Sequence, residues 1–483
     1  MLKEIHHNHI VRRMIETIKT LKSSSTANFP DKFFTLDEKM RCELLQETLK
    51  YISNQIPFYK TLSNFPNDEN EVLNSLRMLP LLERKHVYEN HNSFVNPNIL
   101  PDNIQCTSGT TDLKRRMIIP RHKLEQQMCA QLEELYLLCI GKSTPLKSSN
   151  GLTLRLIPAM RRMFGSSSNT DLSITAMIDY DFPKYRTRSD YYDYIIQLLN
   201  SSYPIQGEYK RIEKLHVTPP FLIDIFTREL LDRGIHPSVF NIKKITCTGG
   251  VVSTFFRKWL KKQWNAQIIC NFSHTEAKIS YFECPNTPNR YHSIIGNYLE
   301  VLDTKSNQEV EDYQEGKLVV TTLFPFQFVQ PFIRYFMGDY VRKIPKNCEC
   351  GFIGQSIEWI GRQNHCISLE CINPNLYKKM FIGTIDVYEA LETENDIVQI
   401  PFPIFRLDYS PNKDMITLSI EKSLIIDDEE NKKQAERISN KLFENLRMKL
   451  KLINCTSEIK IENPFYVKFF TKGSLNEPYF IGT

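Results

Sequence analysis

Between Leu215 and Cys270 the chain alternates short apolar runs with helical segments, and this rhythm constrains the fold more than any other feature. Leu215-His216-Val217-Thr218 reads as a strand and Phe221 to Leu231 as a helix. Ile242 to Thr248 is a second strand, ending in Gly249-Gly250; Arg257 to Trp264 is a helix, and Ile268-Ile269-Cys270 a third strand. Strands separated by helices pair in parallel, with the helices covering the sheet. The expected fold class is therefore α/β. Upstream, Met40 to Tyr51 is helical in pattern, with Leu44, Leu45, Leu49 and Ile52 on one face. From Leu318-Val319-Val320-Thr321-Thr322 onward the pattern turns strand-rich. The last segment carries a strand at Met415 to Ile420 and a charged helix from Asp428 to Lys449, whose mixed charges read as a solvated face.

A chain of 483 residues exceeds one small core. Gly361-Arg362-Gln363 reads as a hinge, giving a large N-terminal domain (1–361) with parallel sheets and helices, and a small mobile α+β domain (362–483). The 61 basic and 56 acidic residues leave a net charge of +5, too weak to indicate a nucleic-acid or membrane partner. The start, Met1-Leu2-Lys3-Glu4-Ile5-His6-His7, lacks the apolar run of a secretory signal, and no segment is apolar enough to span a bilayer. A cytoplasmic protein is expected. Its 12 cysteines then read as free thiols or metal ligands rather than disulfides.

Four clusters carry candidate chemistry. Thr107-Ser108-Gly109-Thr110-Thr111-Asp112-Leu113-Lys114-Arg115 packs hydroxyls around a glycine and ends in two cations, following a short strand at Asn103 to Cys106. Such a loop wraps phosphate oxygens with N–H and hydroxyl donors while its cations neutralise charge; the alternative is a polar surface turn. It lacks the spaced glycines of a Walker A loop. In Asn271-Phe272-Ser273-His274-Thr275-Glu276, a carboxylate follows a strand and can hold Mg²⁺ on a nucleotide. In Arg334-Tyr335-Phe336-Met337-Gly338-Asp339, the aspartate can accept hydrogen bonds from ribose hydroxyls, or merely cap a turn. Gly361-Arg362-Gln363-Asn364 is the fourth.

In order and spacing, these clusters resemble the adenylate-forming superfamily of acyl-CoA synthetases and peptide-synthetase adenylation domains. Within it the chain looks like the phenylacetate-CoA ligase branch and its capsule-associated relatives. Pro57-Phe58-Tyr59 and Leu79-Pro80 with Lys85 resemble that branch's opening segment, so the resemblance covers nearly the whole chain. It implies that ATP and Mg²⁺ are used to convert a carboxylic acid, aromatic in this branch, to an acyl-adenylate. The acyl group then passes to a thiol, of CoA or of a carrier-protein phosphopantetheine, or to an amine. Thr107, Ser108, Gly109, Thr110, Thr111 and Lys114 would form the phosphate loop. Gly249 and Gly250 would lie along the adenine, with Phe272 near the base. Thr275 would touch the α-phosphate and Glu276 would hold Mg²⁺. Asp339 would bind the ribose, and Arg362 would also reach the nucleotide.

Two positions depart from the pattern. Ser273 stands where glycine is usual. Near the C-terminus, in Thr471-Lys472-Gly473-Ser474, aligning on the glycine puts Ser474 at the place of the catalytic lysine; Lys472 is the candidate if the register differs. A non-catalytic nucleotide-binding or assembly protein on the same fold is the rival reading.

Cys284, His292, Cys348 and Cys350 offer three thiols and an imidazole, a set that suits tetrahedral zinc. The spacing is Cys-x-Cys rather than the more diagnostic Cys-x-x-Cys, and the alternative is reduced cysteines beside a surface histidine. Some members of the resembled branch carry a structural zinc in this region. A homodimer is compatible with the sequence.

Overall fold

The computed structural model describes residues 32–61, 69–106, 117–129, 152–158, 173–178, 180–181, 186–187, 189–205, 207–250, 252–277, 281–293, 296–352, 354–368, 380–391, 405–410, 415–422, 428–452 and 463–471, with single positions 12, 16 and 131. Helix α1 (Lys32–Gln55) opens this part of the chain. It buries Leu44, Leu45, Leu49 and Ile52 in the main core, the face its periodicity predicts. A hairpin follows, β1 (Asn103–Cys106) against β2 (Ile118–Arg121), antiparallel with Cys106 opposite Ile118. Residues 107–116 connect the two strands and lie outside the described residues.

Further along come β3 (Leu152–Pro158), β4 (Ser173–Ile178) and two short hairpins, β5 (Tyr180–Asp181) with β6 (Arg186–Thr187) and β7 (Tyr203–Ile205) with β8 (Glu208–Lys210). The rhythm read from the sequence is then realised: β9 (Ile212–Val217), α2 (Phe221–Asp232), β10 (Lys244–Thr248), α3 (Thr254–Trp264) and β11 (Gln267–Phe272). Helix α3 shows why its limits fall where they do. The Ser253 hydroxyl accepts from the Phe256 N–H at 3.1 Å, and Asn265 ends the helix in the left-handed region at φ 48°.

These parallel strands form half of an 11-stranded sheet ordered β14-β15-β16-β17-β13-β12-β11-β10-β9-β3-β4. The other half is β12 (Tyr281–Glu283), β13 (Arg290–His292), β14 (Asn297–Leu302), β15 (Glu315–Thr322), β16 (Tyr335–Ile344) and β17 (Ser356–Arg362). Leu318–Thr322, which the sequence reads as strand-rich, falls in β15. Within this sheet every pairing from β11 to β17 is antiparallel. The connections in this half carry no crossover helix, so adjacent strands fold back on one another. The fold is mixed α/β rather than uniformly parallel.

After β17 come β18 (Ile367–Ser368) paired with β19 (Phe381–Ile382), helix α4 (Thr384–Ala390), and a three-stranded sheet of β20 (Phe405–Ser410), β21 (Met415–Lys422) and β22 (Phe465–Thr471). Helix α5 (Asp428–Leu452) packs on β22 and α4, and α4 packs on β17. The solvated reading of α5 holds for one face only. Ile438, Leu442, Leu446 and Leu450 recur every fourth residue and are buried. Lys449 is buried too, donating to the Phe381 carbonyl at 2.7 Å and pairing with Asp386 at 2.9 Å and Glu315 at 3.3 Å. No described helix is long and apolar enough to cross a membrane.

Candidate active site and metal cluster

Asp339 lies on β16 directly opposite Arg362 on β17. Its carboxylate is buried and held at both oxygens. Trp359 Nε1 donates to Oδ1 at 2.8 Å, and Arg362 Nη1 donates to Oδ2 at 3.1 Å. The same Arg362 nitrogen reaches the Met337 carbonyl at 2.8 Å. Gly338 sits between them at φ 83°, a conformation glycine adopts without strain, and a Cβ there would press on Arg362 Nη1 at 3.4 Å. Burial raises the Asp339 pKa, with Arg362 and then Trp359 opposing. His274 Nε2 stands 3.5 Å from Asp339 Oδ2. Burial and the neighbouring Arg362 hold His274 well below its ordinary value, so its ring is neutral.

Phe272, at the end of β11, meets His274 edge-on at 4.6 Å between centroids and touches Tyr281, Tyr291 and Trp359. It thereby links the β11 end to the Asp339 cluster. Thr275 and Glu276 follow, both half-buried. Their backbone is clamped from two sides. Arg121 Nη2 donates to both carbonyls at 2.7 Å, and Gln327 Nε2 donates to the Glu276 carbonyl at 3.0 Å. Gly249, just past β10, adopts φ 71° and begins the turn that leaves the sheet. The Thr248 hydroxyl beside it bonds Thr218 and lies 3.2 Å from His216 Nε2.

The structure thus gathers Phe272, Thr275, Glu276, Asp339 and Arg362 around the ends of β11 and β17 and the middle of β16, with Gly249 and Gly250 following the neighbouring β10. Thr107, Ser108, Gly109, Thr110, Thr111, Lys114 and Lys472 lie outside the described residues, as do His6, His7, His9, Arg161 and Arg162. Two polar groups escaped the sequence reading. Trp359 gave no signal beyond an apolar strand. Arg121, next to His122 and Lys123, looks like part of an exposed basic turn, yet it is fully buried.

Cys284, just past β12, His292 at the end of β13, and Cys348 and Cys350 between β16 and β17 place their ligand atoms within 4.8 Å of one another. Cys284 Sγ and Cys348 Sγ are 3.6 Å apart, and Cys350 Sγ is 3.2 Å from His292 Nε2. A tetrahedron with thiolate arms of about 2.3 Å has edges of about 3.8 Å, so the set fits zinc. His292 Nδ1 meets the Ser356 hydroxyl at 2.8 Å, and the ring stacks on Phe352. That contact orients Nε2 toward the thiols. Hydrogen bonding from Cys350, and more weakly from His292, holds the Cys284 thiol far below its ordinary pKa.

No family model matches the chain. No curated protein sequence matches it either. Solved structures do resemble it. A 2-hydroxyisobutyryl-CoA ligase in the postadenylation state, bound to an acyl-AMP, aligns with TM-score 0.60 at 14% identity, over 91% of this chain and 86% of that one. An open conformation of that ligase, with an acyl-AMP and CoA, aligns with TM-score 0.52 at 14% identity, over 91% and 88%. An acyl acid amido synthetase aligns with TM-score 0.55 at 12% identity, over 92% of this chain and 88% of that one. The chain has the adenylating-enzyme fold of these ligases, a large mixed α/β domain followed by a smaller C-terminal one.

Proposed function

We propose that this protein activates a carboxylic acid with ATP, forming an acyl-adenylate and pyrophosphate, and then passes the acyl group to an acceptor. The observation that carries this reading is the pairing of buried Asp339 with Arg362 and Trp359, next to the Thr275–Glu276 turn at the end of a parallel strand. In the adenylating fold that place receives the nucleotide. Asp339 binds the ribose hydroxyls, exchanging Arg362 for them, and Thr275 meets the α-phosphate. Glu276, half-buried and beside a strand end, suits Mg²⁺, which when bound offsets phosphate charge. The Thr107–Arg115 loop, whose flanks form the β1–β2 hairpin, wraps the β- and γ-phosphates. The acid's carboxylate attacks the α-phosphorus in line, and the site acts by positioning and charge neutralisation.

The C-terminal domain begins at Arg362 and turns about Arg362–Gln363 between the two half-reactions. Gly361 supports a tightly packed boundary, because a Cβ there would come within 2.7 Å of Cys366 Sγ. The acceptor is CoA, a carrier-protein thiol or an amine; the similar structures include a CoA ligase and an amido synthetase. An aromatic acid is the proposed substrate, on the resemblance to the phenylacetate-CoA ligase branch. The Cys284, His292, Cys348 and Cys350 set holds a structural zinc, because a shell filled by four protein ligands leaves no position open for chemistry.

ATP–pyrophosphate exchange with a panel of aryl and aliphatic acids tests the proposal, with mass spectrometry of trapped acyl-adenylates naming the acid. Exchange with an aryl acid is the expected result. The rival, a nucleotide-binding protein without catalysis, rests on Ser474 at the family's lysine position. ATP binding with no exchange across the panel would favour it. Lys472→Ala then locates the lysine: loss of exchange assigns it, and retained exchange removes it.

A further inference from the structure

Arg121 is a fully buried cation with unusual partners. One nitrogen, Nη2, donates to the Thr275 and Glu276 carbonyls, both at 2.7 Å. The other two, Nε and Nη1, are buried and make no hydrogen bond among the described residues. Among the described residues no carboxylate lies within ion-pair distance of it. Glu125, the nearest buried acid in sequence, is committed elsewhere. Its Oε1 accepts from the Phe328 and Val329 N–H groups at 2.6 and 2.8 Å, and its Oε2 from the His122 N–H at 3.1 Å. A buried, half-satisfied guanidinium costs stability, so it calls for a reason other than packing.

The position of Arg121 says where. It ends β2, opposite Asn103 on β1, so it belongs to the hairpin whose connection is residues 107–116. Its two acceptors belong to the turn after β11. The guanidinium therefore ties the hairpin to the turn through two bonds from one nitrogen. A carbonyl held by a buried cation is polarised, and the N–H of the same peptide becomes a stronger donor. Here those N–H groups are Glu276 and Ala277.

We propose that Arg121 is a positioning residue of the adenylation site, fixing the Thr275–Glu276 turn to the end of β2 and placing a buried positive charge behind it. The inference rests on the reading above, in which Thr275 and Glu276 serve the phosphates and Mg²⁺. Arg121 touches neither nucleotide nor metal; it acts through the turn. Gln327, which shares the Glu276 carbonyl, is its neutral counterpart.

The test is calorimetric titration of the full chain with ATP, once with Mg²⁺ and once with EDTA. The wild type is expected to bind ATP more tightly with Mg²⁺. In Arg121→Met this Mg²⁺ enhancement should shrink by about 10-fold, as expected for losing charge-assisted bonds that hold a ligand-bearing turn. Affinity in EDTA should change less. Arg121→Lys keeps the charge on a shorter side chain and should fall between. A wild-type enhancement in Arg121→Met, whatever its melting temperature, overturns the proposal. Should that variant fail to fold, Arg121→Gln, which removes the charge but keeps a polar end, decides, and an unchanged enhancement there overturns it equally. A wild type that binds no ATP in either condition removes the underlying reading and this inference with it. A wild type that binds ATP equally in both conditions removes the part that concerns Glu276.

Discussion

Two polar clusters hang on the β12–β17 half of the sheet, and they are finished to different degrees. The thiol–imidazole set closes on itself: four ligand atoms lie within 4.8 Å, and Ser356 occupies the outer ring nitrogen of His292. The Asp339 set is braced by Trp359 and Arg362, while Thr275 and Glu276 stay half-buried at a strand end. A closed shell contributes to folding. A braced, part-exposed set is ready for a ligand. Substitutions in the first should lower stability and spare nucleotide affinity, and substitutions in the second should do the reverse.

The largest effect is expected at the closed shell. Replacing Cys348 with Ser, or stripping metal with a strong chelator, should destabilise the chain by about 4 kcal/mol, because ligand binding there is also folding energy. At roughly 2 °C per kcal/mol for a large domain, the melting midpoint should fall by about 8 °C. Differential scanning calorimetry with metal analysis checks this. Absence of zinc from the purified protein, with no loss in Cys348→Ser, would break the comparison at its first term.

The two regions are not isolated from the C-terminal helix. Glu315, Arg342, Glu358 and Arg290 are successive cross-strand neighbours on β15, β16, β17 and β13, alternating in sign. Their contacts run from 2.8 to 2.9 Å, and Arg290 reaches Cys348 Sγ at 3.6 Å. Lys449 closes the other end against Glu315 and Asp386. Lys449→Met leaves buried Asp386 without its lysine while Glu315 keeps Arg342, and should cost about 3 kcal/mol, the usual penalty for breaking a buried pair from one side. Hydrogen exchange should locate the loosening in α5. A uniform loss across the chain would instead make Lys449 part of the global core.

At the braced set, Asp339→Asn keeps an acceptor for Trp359 Nε1 but loses the charge. ATP affinity should fall by about 30-fold, near 2 kcal/mol, as for a hydrogen bond to a charged group. The melting temperature should hold to within about 2 °C, because the buried carboxylate already sits above its ordinary pKa. Equal losses of binding and stability would erase the distinction between the two clusters.

The contrast also explains what the sequence could reveal. The grouping of Cys284, His292, Cys348 and Cys350 was legible because thiols and imidazoles stand out by side-chain type alone. The β9–β11 rhythm was legible because crossover helices have their own 3.6-residue period. The antiparallel half was not, because strands buried on both faces read alike in either direction; β15 buries all but one of its residues, Lys317. The bracing of Arg362 and Arg121 runs through backbone carbonyls at Met337, Thr275 and Glu276, which no side-chain motif displays. Arg121 became a buried brace only because chain from about 150 residues away packs over it.

The smallest effect is a pH dependence beside the braced set. His365, three residues after Arg362, is pushed down to about 3 by burial and by the Arg362 charge. In the unfolded chain it titrates near its ordinary 6.5. Between those values the unfolded chain holds the extra proton, so this group's contribution is intact above about pH 6.5 and is lost as pH falls toward 3. Full burial would make the loss about 2 kcal/mol by pH 5; partial exposure reduces it to about 1 kcal/mol. His365→Gln should flatten that acid-side slope in urea melts between pH 7 and 5 while leaving the pH 7 value nearly unchanged. Because Arg362 adds to the shift that burial sets, ATP that draws Arg362 toward its phosphates should also reduce part of the slope in the wild type. A slope that ignores both the substitution and the nucleotide would place the acid sensitivity elsewhere and uncouple His365 from the site.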